Sequence, residues 1–324
     1  MKKIGSLRQL AGTRHSMLTE GAANGTRVID VNTGAGLTFT VLPDRGLDIG
    51  AAAYRGINFT YLSPQEEMNP AFCRVYKNEW LRTFFGGLLT TCGPTSFGPY
   101  CIDGEEELGL HGRFNCMPAS HVCDRTSVES GEIIIEGVIN DFVLFGAKVS
   151  IKRSILCEVG SNKITLCDTV KNLGGGPAPY MMLYHINFGY PFLDEETRTQ
   201  VNSCRVEGYN AYSTEYIKEV NRFHEPRTDA KEKNYLHYFD SDEGIAKAIN
   251  DAFGFCVSIR FNTNVLPYLS QWKYEQIRDY VLALEPCSSP CISRRELREK
   301  GHLKYIDAGE TVVNTVTIEV GDTT

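Results

Sequence analysis

The 324-residue sequence has no long apolar run, no block of like charge and no internal repeat, and each absence removes a class of protein. No window approaches the roughly 20 apolar residues of a membrane span, so no membrane partner is expected. The opening Met1-Lys2-Lys3-Ile4-Gly5-Ser6 has two lysines but no apolar stretch behind them, which reads as a cytoplasmic chain without a secretory leader. Lys and Arg run no longer than pairs such as Arg294-Arg295, and the formal net charge is −7, so a nucleic-acid partner is not expected either. The glycine-rich dinucleotide turn, the phosphate-binding loop, the G-x-S-x-G elbow and the H-E-x-x-H zinc helix are all missing, so neither a cofactor nor a metal is expected. Eleven cysteines, an odd and scattered set, read as reduced thiols used as small hydrophobes. The one close pair, Cys287 and Cys291, would need further ligands to hold zinc, and the sequence places none nearby.

What is present is ordinary globular material, 42% hydrophobic and 23% charged, ample for a core. Leu37, Phe39 and Val41 alternate with Thr38 and Thr40, then a turn at Pro43 to Gly46 leads to Leu47 and Ile49, a hairpin with one buried face. Residues 132–139, 147–158 and 163–171 read as strands of a long meander, residues 244–250 and 254–262 as a hairpin, and residues 311–320 as a closing strand. Ser293 and Glu296 frame a short capped helix ended by Gly301. Residues 215–234 fit either a short helix or a surface excursion. No βαβ alternation is visible, so the expectation is all-β: a single domain over residues 1–324, built as a large antiparallel β-sandwich.

The chemistry-bearing residues stand out because they interrupt apolar strands. Residues 180–193, YMMLYHINFGYPFL, read as a central strand buried on both faces, yet carry His185 and Asn187. In YVLALEP, Val281, Ala283 and Glu285 share one face, so Glu285 points where its apolar neighbours point. His111 precedes Gly112 at the edge of a strand, and Arg82 lies inside the apolar WLRTFFGGLL, where a guanidinium would need an anion. Arg45 and Asp48, at the rim of the first hairpin, suit a surface ion pair or a ligand role. Together His185 and Glu285 make an acid–base pair, and the others supply polar binding groups, enough to move protons on a bound small molecule without a cofactor.

The segments LPDRGLDIG, GGLLTTCG, LHGRFN, LYHINFGYP and LEPCSSP resemble the aldose 1-epimerase (galactose mutarotase-like) superfamily, in a divergent DUF4432-like branch, over most of the chain. The resemblance implies the β-sandwich of that superfamily, the galactose mutarotase-like supersandwich, and a small carbohydrate as substrate. It implies catalysis by His185 and Glu285, with Glu285 ionised as base and His185 protonated as acid, and with His111 on the sugar hydroxyls. The family's arginine, from a GRxxNR segment, is absent here: Gly87-Leu88-Leu89-Thr90-Thr91-Cys92 occupies that region. Arg82, then Arg45, then Arg113 are the candidates to replace it. Asn187, Gln271 and Trp272 complete the expected sugar contacts, Trp272 as an apolar platform.

The expected activity is thus cofactor-independent interconversion of sugar anomers. Three other functions remain open: a different sugar epimerase on the same residues, a carbohydrate-binding protein without turnover, and a nucleophile at Cys287 beside His302 or His185. The sequence fixes neither the sugar nor the oligomeric state, a homodimer included.

Overall fold

The computed structural model describes residues 2–323, and antiparallel strands are its main regular structure. Two large sheets stack face to face, one of eleven strands and one of eight. The larger runs Gly12–Met17, Arg27–Asn32, Leu37–Leu42, Asp48–Tyr54, Leu89–Cys92, Leu183–Phe188, Asp279–Cys287, Tyr268–Gln276, Lys233–Tyr238 and Arg205–Gly208, with Ile57–Asn58 paired beside Asp48–Tyr54. The smaller contains the meander Glu132–Phe142, Lys148–Glu158 and Lys163–Asn172, the hairpin Glu243–Asn250 and Phe255–Asn262, and the closing strand Thr311–Asp322. The expected strands are therefore present to within a few residues.

The meander strands alternate because only one of their faces is covered: Ile133, Ile135, Gly137 and Ile139 are buried while Ile134, Glu136 and Val138 between them are partly exposed. The His185 strand, Leu183–Phe188, does not alternate, since all six residues are buried. Tyr184, Ile186 and Phe188 pack into the core between the sheets. On the outer face Leu183 packs with Trp80, Phe84, Val281 and Cys287, which come from the covering loops and the neighbouring strand. The strand is shorter than residues 180–193 because Ala178–Tyr180 leave to pair with Lys304–Ile306, and the chain turns after Phe188.

A buried ionic cluster ties the two sheets together. Arg153 of the smaller sheet reaches Asp48 of the larger at 2.5 Å and Asp168 on the adjacent strand at 2.6 Å. Thr91 donates to Asp48 and accepts from Arg153, and Tyr184 donates to Asp168 at 2.9 Å. The strand that carries His185 is thereby fastened to the second sheet through its neighbour Tyr184.

This arrangement corrects two expectations. Asp48 is not at a rim and does not pair with Arg45. Strand alternation turns it inward, where its partner comes from 105 residues away. Arg45 is fully buried and donates to the carbonyls of Asn115, Met68 and Thr83 at 2.6, 2.6 and 2.8 Å, with its guanidinium over the Phe85 ring. It organises loops and touches no ligand site. Residues 215–234 follow the surface-excursion alternative: a short helix, Ala211–Glu215, ends where they begin, and a single turn, Ile217–Glu219, leads into an irregular stretch before Lys233–Tyr238. The helix Arg294–Glu299 starts as expected, with Ser293 Oγ accepting from the Glu296 N–H.

Candidate active site

Strand register builds the centre of the site. Leu183 lies opposite Cys287 and Ile186 opposite Leu284, which sets His185 across from Glu285. Glu285 in turn lies opposite Ser270, and His185 opposite Thr90. Directly opposed residues bring their Cβ atoms within about 5 Å, so an acid and an imidazole on adjacent strands are bound to meet. They do: His185 Nε2 and Glu285 Oε1 are 3.0 Å apart and both side chains are almost fully buried.

The hydrogen bonds fix where the protons are. Asn187 uses its amide N–H groups on the carbonyls of Gly87 and His185, both at 3.0 Å. Its Oδ1 therefore faces His185 Nδ1 as an acceptor, at 2.6 Å, and Nδ1 carries the hydrogen. The second ring nitrogen is left with a single proton to share with Glu285. Burial raises the Glu285 carboxyl to about 8, against a lowering hydrogen bond from Ser270. Burial lowers His185 to about 3, helped by the nearby His111. These opposite shifts favour the shared proton on Glu285, with both groups neutral. This is the reverse of the ionised pair expected from the sequence, and the cause is the desolvation that two buried charges would suffer.

The pair forms the floor of a cleft of about 530 Å³ on the outer face of the larger sheet. Aromatic rings form its walls: Trp80 and Phe84 stack at 4.4 Å, and the Trp272 ring stands 5.6 Å from that of His185. His111, on a turn with φ +57°, packs against Trp80 at 4.6 Å with its ring 5.9 Å from His185. Burial lowers His111 to about 4, so it too is neutral. His111 Nδ1 and Trp80 Nε1 are buried without a hydrogen-bond partner among the described residues.

Five of the expected site residues are placed otherwise. Arg82 is exposed on a single helical turn, Glu79–Arg82, and pairs with Glu79 at 3.4 Å, because Trp80 and Phe84 take the inward positions of that segment. Arg45 is buried among loop carbonyls as described, and Arg113 is held by Asp141 at 2.5 Å. Among the described residues, no arginine or lysine lines the cleft. Gln271 points to the opposite face from Ser270 and Trp272, where it bonds the Val220 carbonyl at 2.8 Å and His237 at 3.1 Å. Asn187 is fully buried behind His185, with its Oδ1 on His185 Nδ1, and is not among the residues that line the cleft. His185, Glu285, His111 and Trp272 do converge. Trp80 and Phe84, from the same WLRTFFGGLL stretch as Arg82, join them, as do Ser270, two residues before Trp272 on the strand opposite Glu285, and Tyr209. Cys287 is fully buried and its thiol is pushed well up by burial, so it supplies no thiolate to the cleft.

The architecture is that of the galactose mutarotase-like β-sandwiches. The chain belongs to the DUF4432 family, described as a domain of unknown function, whose profile matches residues 23–320. Its structure is similar to that of a candidate aldose 1-epimerase from Klebsiella pneumoniae subsp. pneumoniae, at 25% identity and a TM-score of 0.90, covering 95% of this chain and 83% of that one. It is also similar to a galactose mutarotase-like protein from Clostridium acetobutylicum, at 12% identity and a TM-score of 0.65, covering 97% of this chain and 100% of that one. Galactose 1-epimerase from Lactobacillus acidophilus matches at 11% identity and 0.65, covering 97% and 100%. The last two show likeness of fold alone. No curated protein matches the chain in sequence. Among the described residues, no helix is long and apolar enough to cross a membrane.

Proposed function

We propose that the protein is an isomerase of the aldose 1-epimerase type, interconverting the anomers of an uncharged sugar. The observation that carries this is the pair itself: His185 Nε2 and Glu285 Oε1, 3.0 Å apart, sharing one proton on the floor of an aromatic cleft. A cyclic hemiacetal opens when the anomeric hydroxyl loses a proton and the ring oxygen gains one. Those two oxygens sit on the same carbon, so two groups this close can serve both at once.

In the first half of the cycle Glu285 gives its proton to the ring oxygen while His185 Nε2 takes the proton of the anomeric hydroxyl. The C1–O5 bond breaks and the aldehyde forms. The pair is now ionised, carboxylate beside imidazolium, the state the sequence resemblance implied from the start. After rotation about C1–C2, Glu285 takes back the hydroxyl proton as O5 attacks the other face of the carbonyl, and His185 returns its proton to the new anomeric oxygen. General acid–base transfer of this kind contributes about 10²–10⁴-fold. Trp272, Trp80 and Phe84 offer apolar faces to the ring, and His111 Nδ1 and Trp80 Nε1 offer hydrogen bonds to its hydroxyls. A cleft with carboxyl groups at Glu285 and Glu232 and no lining cation favours an uncharged sugar over a phosphorylated, oxidised or sulfonated one.

Incubation of candidate aldoses with the protein in deuterium oxide tests the reaction class. Anomer exchange without deuterium on carbon is the expected result. Deuterium at C2 or another carbon would show that the same pair abstracts a carbon-bound proton, and binding without any exchange would show a carbohydrate-binding protein.

A further inference from the structure

The hairpin of the strands Glu132–Phe142 and Lys148–Glu158 ends in four apolar residues, Phe142, Val143, Leu144 and Phe145. The Val143 N–H donates to the Ala147 carbonyl at 2.9 Å and the Gly146 N–H to the Val143 carbonyl at 3.0 Å, which closes the turn. Leu144 is 80% exposed and Phe145 95%, the two largest exposures of a large apolar side chain among the described residues. Phe145 also holds φ +65°, a left-handed conformation that glycine or asparagine adopts with less strain than a bulky residue. Neither solubility nor turn geometry selects phenylalanine there, so contact with a partner is its remaining physical reason.

Beside the tip lies a groove of about 280 Å³, lined by Val75, Leu108, Gly109, Gly112 and Val143. Val143 belongs to both, so a projection and a recess stand side by side on one face. Their charges are opposite. At the tip, Lys148 Nζ meets the Gly146 carbonyl at 3.3 Å and has no carboxylate partner among the described residues. At the groove, Glu106 and Glu107 join the lining, and Glu107 is exposed with no cation paired to it among the described residues.

We propose that this face is the interface of a two-fold dimer of the chain, in which Leu144 and Phe145 of each copy fill the groove of the other and Lys148 faces Glu107 across the contact. A two-fold interface needs a self-complementary patch, and a projection next to a recess with unlike charge beside each supplies one. The formal net charge of −7 disfavours an anionic lipid surface as the occupant. The contact also bears on the cleft. Gly109 and Gly112 line the groove while Leu110 and His111 between them line the cleft, so the partner's tip packs on the turn that holds His111.

Sedimentation velocity of the full chain over a concentration series reads the oligomeric state. Wild type is expected to dimerise, and Leu144→Asp combined with Phe145→Asp to give a folded monomer. Phe145→Gly fits φ +65° without strain, yet it is expected to raise the dimer dissociation constant at least about tenfold, because the anchoring ring is gone. Lys148→Glu is expected to weaken the dimer, and Glu107→Lys added to it to restore the association. Wild type that stays monomeric up to its solubility limit, a dimer that survives the tip substitutions, or a charge swap without recovery overturns the proposal. So does monomeric wild type that co-sediments with phosphatidylcholine–phosphatidylglycerol vesicles and loses them in the double Asp variant, which would make the tip a lipid contact. None of these results depends on whether the cleft turns over a sugar.

Discussion

Asn187 Oδ1 accepts the Nδ1 hydrogen of His185 at 2.6 Å, and this contact decides which nitrogen of the imidazole faces Glu285. The asparagine is itself locked, because its amide hydrogens are spent on the Gly87 and His185 carbonyls. Removing such an outer partner of a functional histidine typically costs 10–100-fold, by analogy with partners of metal-bound histidines. Asn187→Ala is therefore expected to lower kcat for anomer exchange by about that factor with KM little changed. A fall in affinity with kcat intact would mean that Asn187 touches the sugar.

The active form of the pair holds one shared proton, so activity has two limits. With Glu285 raised to about 8 and His185 lowered to about 3, kcat/KM is expected to be flat through neutrality and to fall as pH rises past about 8, when the pair loses that proton. A pH profile in which activity instead falls below about pH 6 would contradict the lowering of His185 to about 3.

The same shift has a consequence for stability. Glu285 holds its proton in the folded chain up to about 8 but releases it near 4.5 when unfolded, so between those values the folded state binds more protons and stability falls as pH rises. Gln has no such term. The melting temperature of Glu285→Gln is expected to match wild type near pH 4 and to exceed it by a growing margin toward pH 8. His185 acts in the opposite sense at lower pH but is common to both proteins. Equal margins at pH 4 and pH 8 would contradict the buried neutral carboxyl.

Arg153 neutralises Asp48 and Asp168 across the two sheets with its side chain fully buried. Arg153→Met leaves two buried carboxylates without their cation, and loss of one partner of a buried pair costs about 3–5 kcal/mol. Chemical denaturation is expected to show a loss of that size. Arg82→Ala, by contrast, truncates an exposed side chain and is expected to stay within about 0.5 kcal/mol of wild type with activity unchanged. A large loss of activity in Arg82→Ala would return that arginine to the site.

How far the sequence could be read depended on what each residue's neighbours revealed. Strands such as Glu132–Phe142 were legible because one face is wet and the alternation shows it. His185 and Glu285 stood out because a strand buried on both faces has no other reason to carry them. The direction of a side chain on such a strand is not legible, so the sequence alone does not reveal that Gln271 points away from Trp272 or that Asn187 lies behind His185. Arg45, beside a turn, is buried because three loop carbonyls take its guanidinium, and Arg82, in an apolar run, is exposed because a single helical turn does not follow strand periodicity. The pairing of Asp48 with Arg153 spans 105 positions and leaves no local trace. Trp80 and Phe84 reach the cleft only through the path of a loop that no pattern encodes.

Magnetisation-exchange NMR on equilibrated neutral aldoses, with wild type and Glu285→Gln side by side, addresses the central claim most directly. Faster exchange between α and β signals for at least one uncharged sugar, lost in Glu285→Gln while ligand-induced shifts persist, is the predicted result. Exchange that is undiminished in Glu285→Gln, or wild-type protein that binds such sugars without accelerating their exchange, would contradict it.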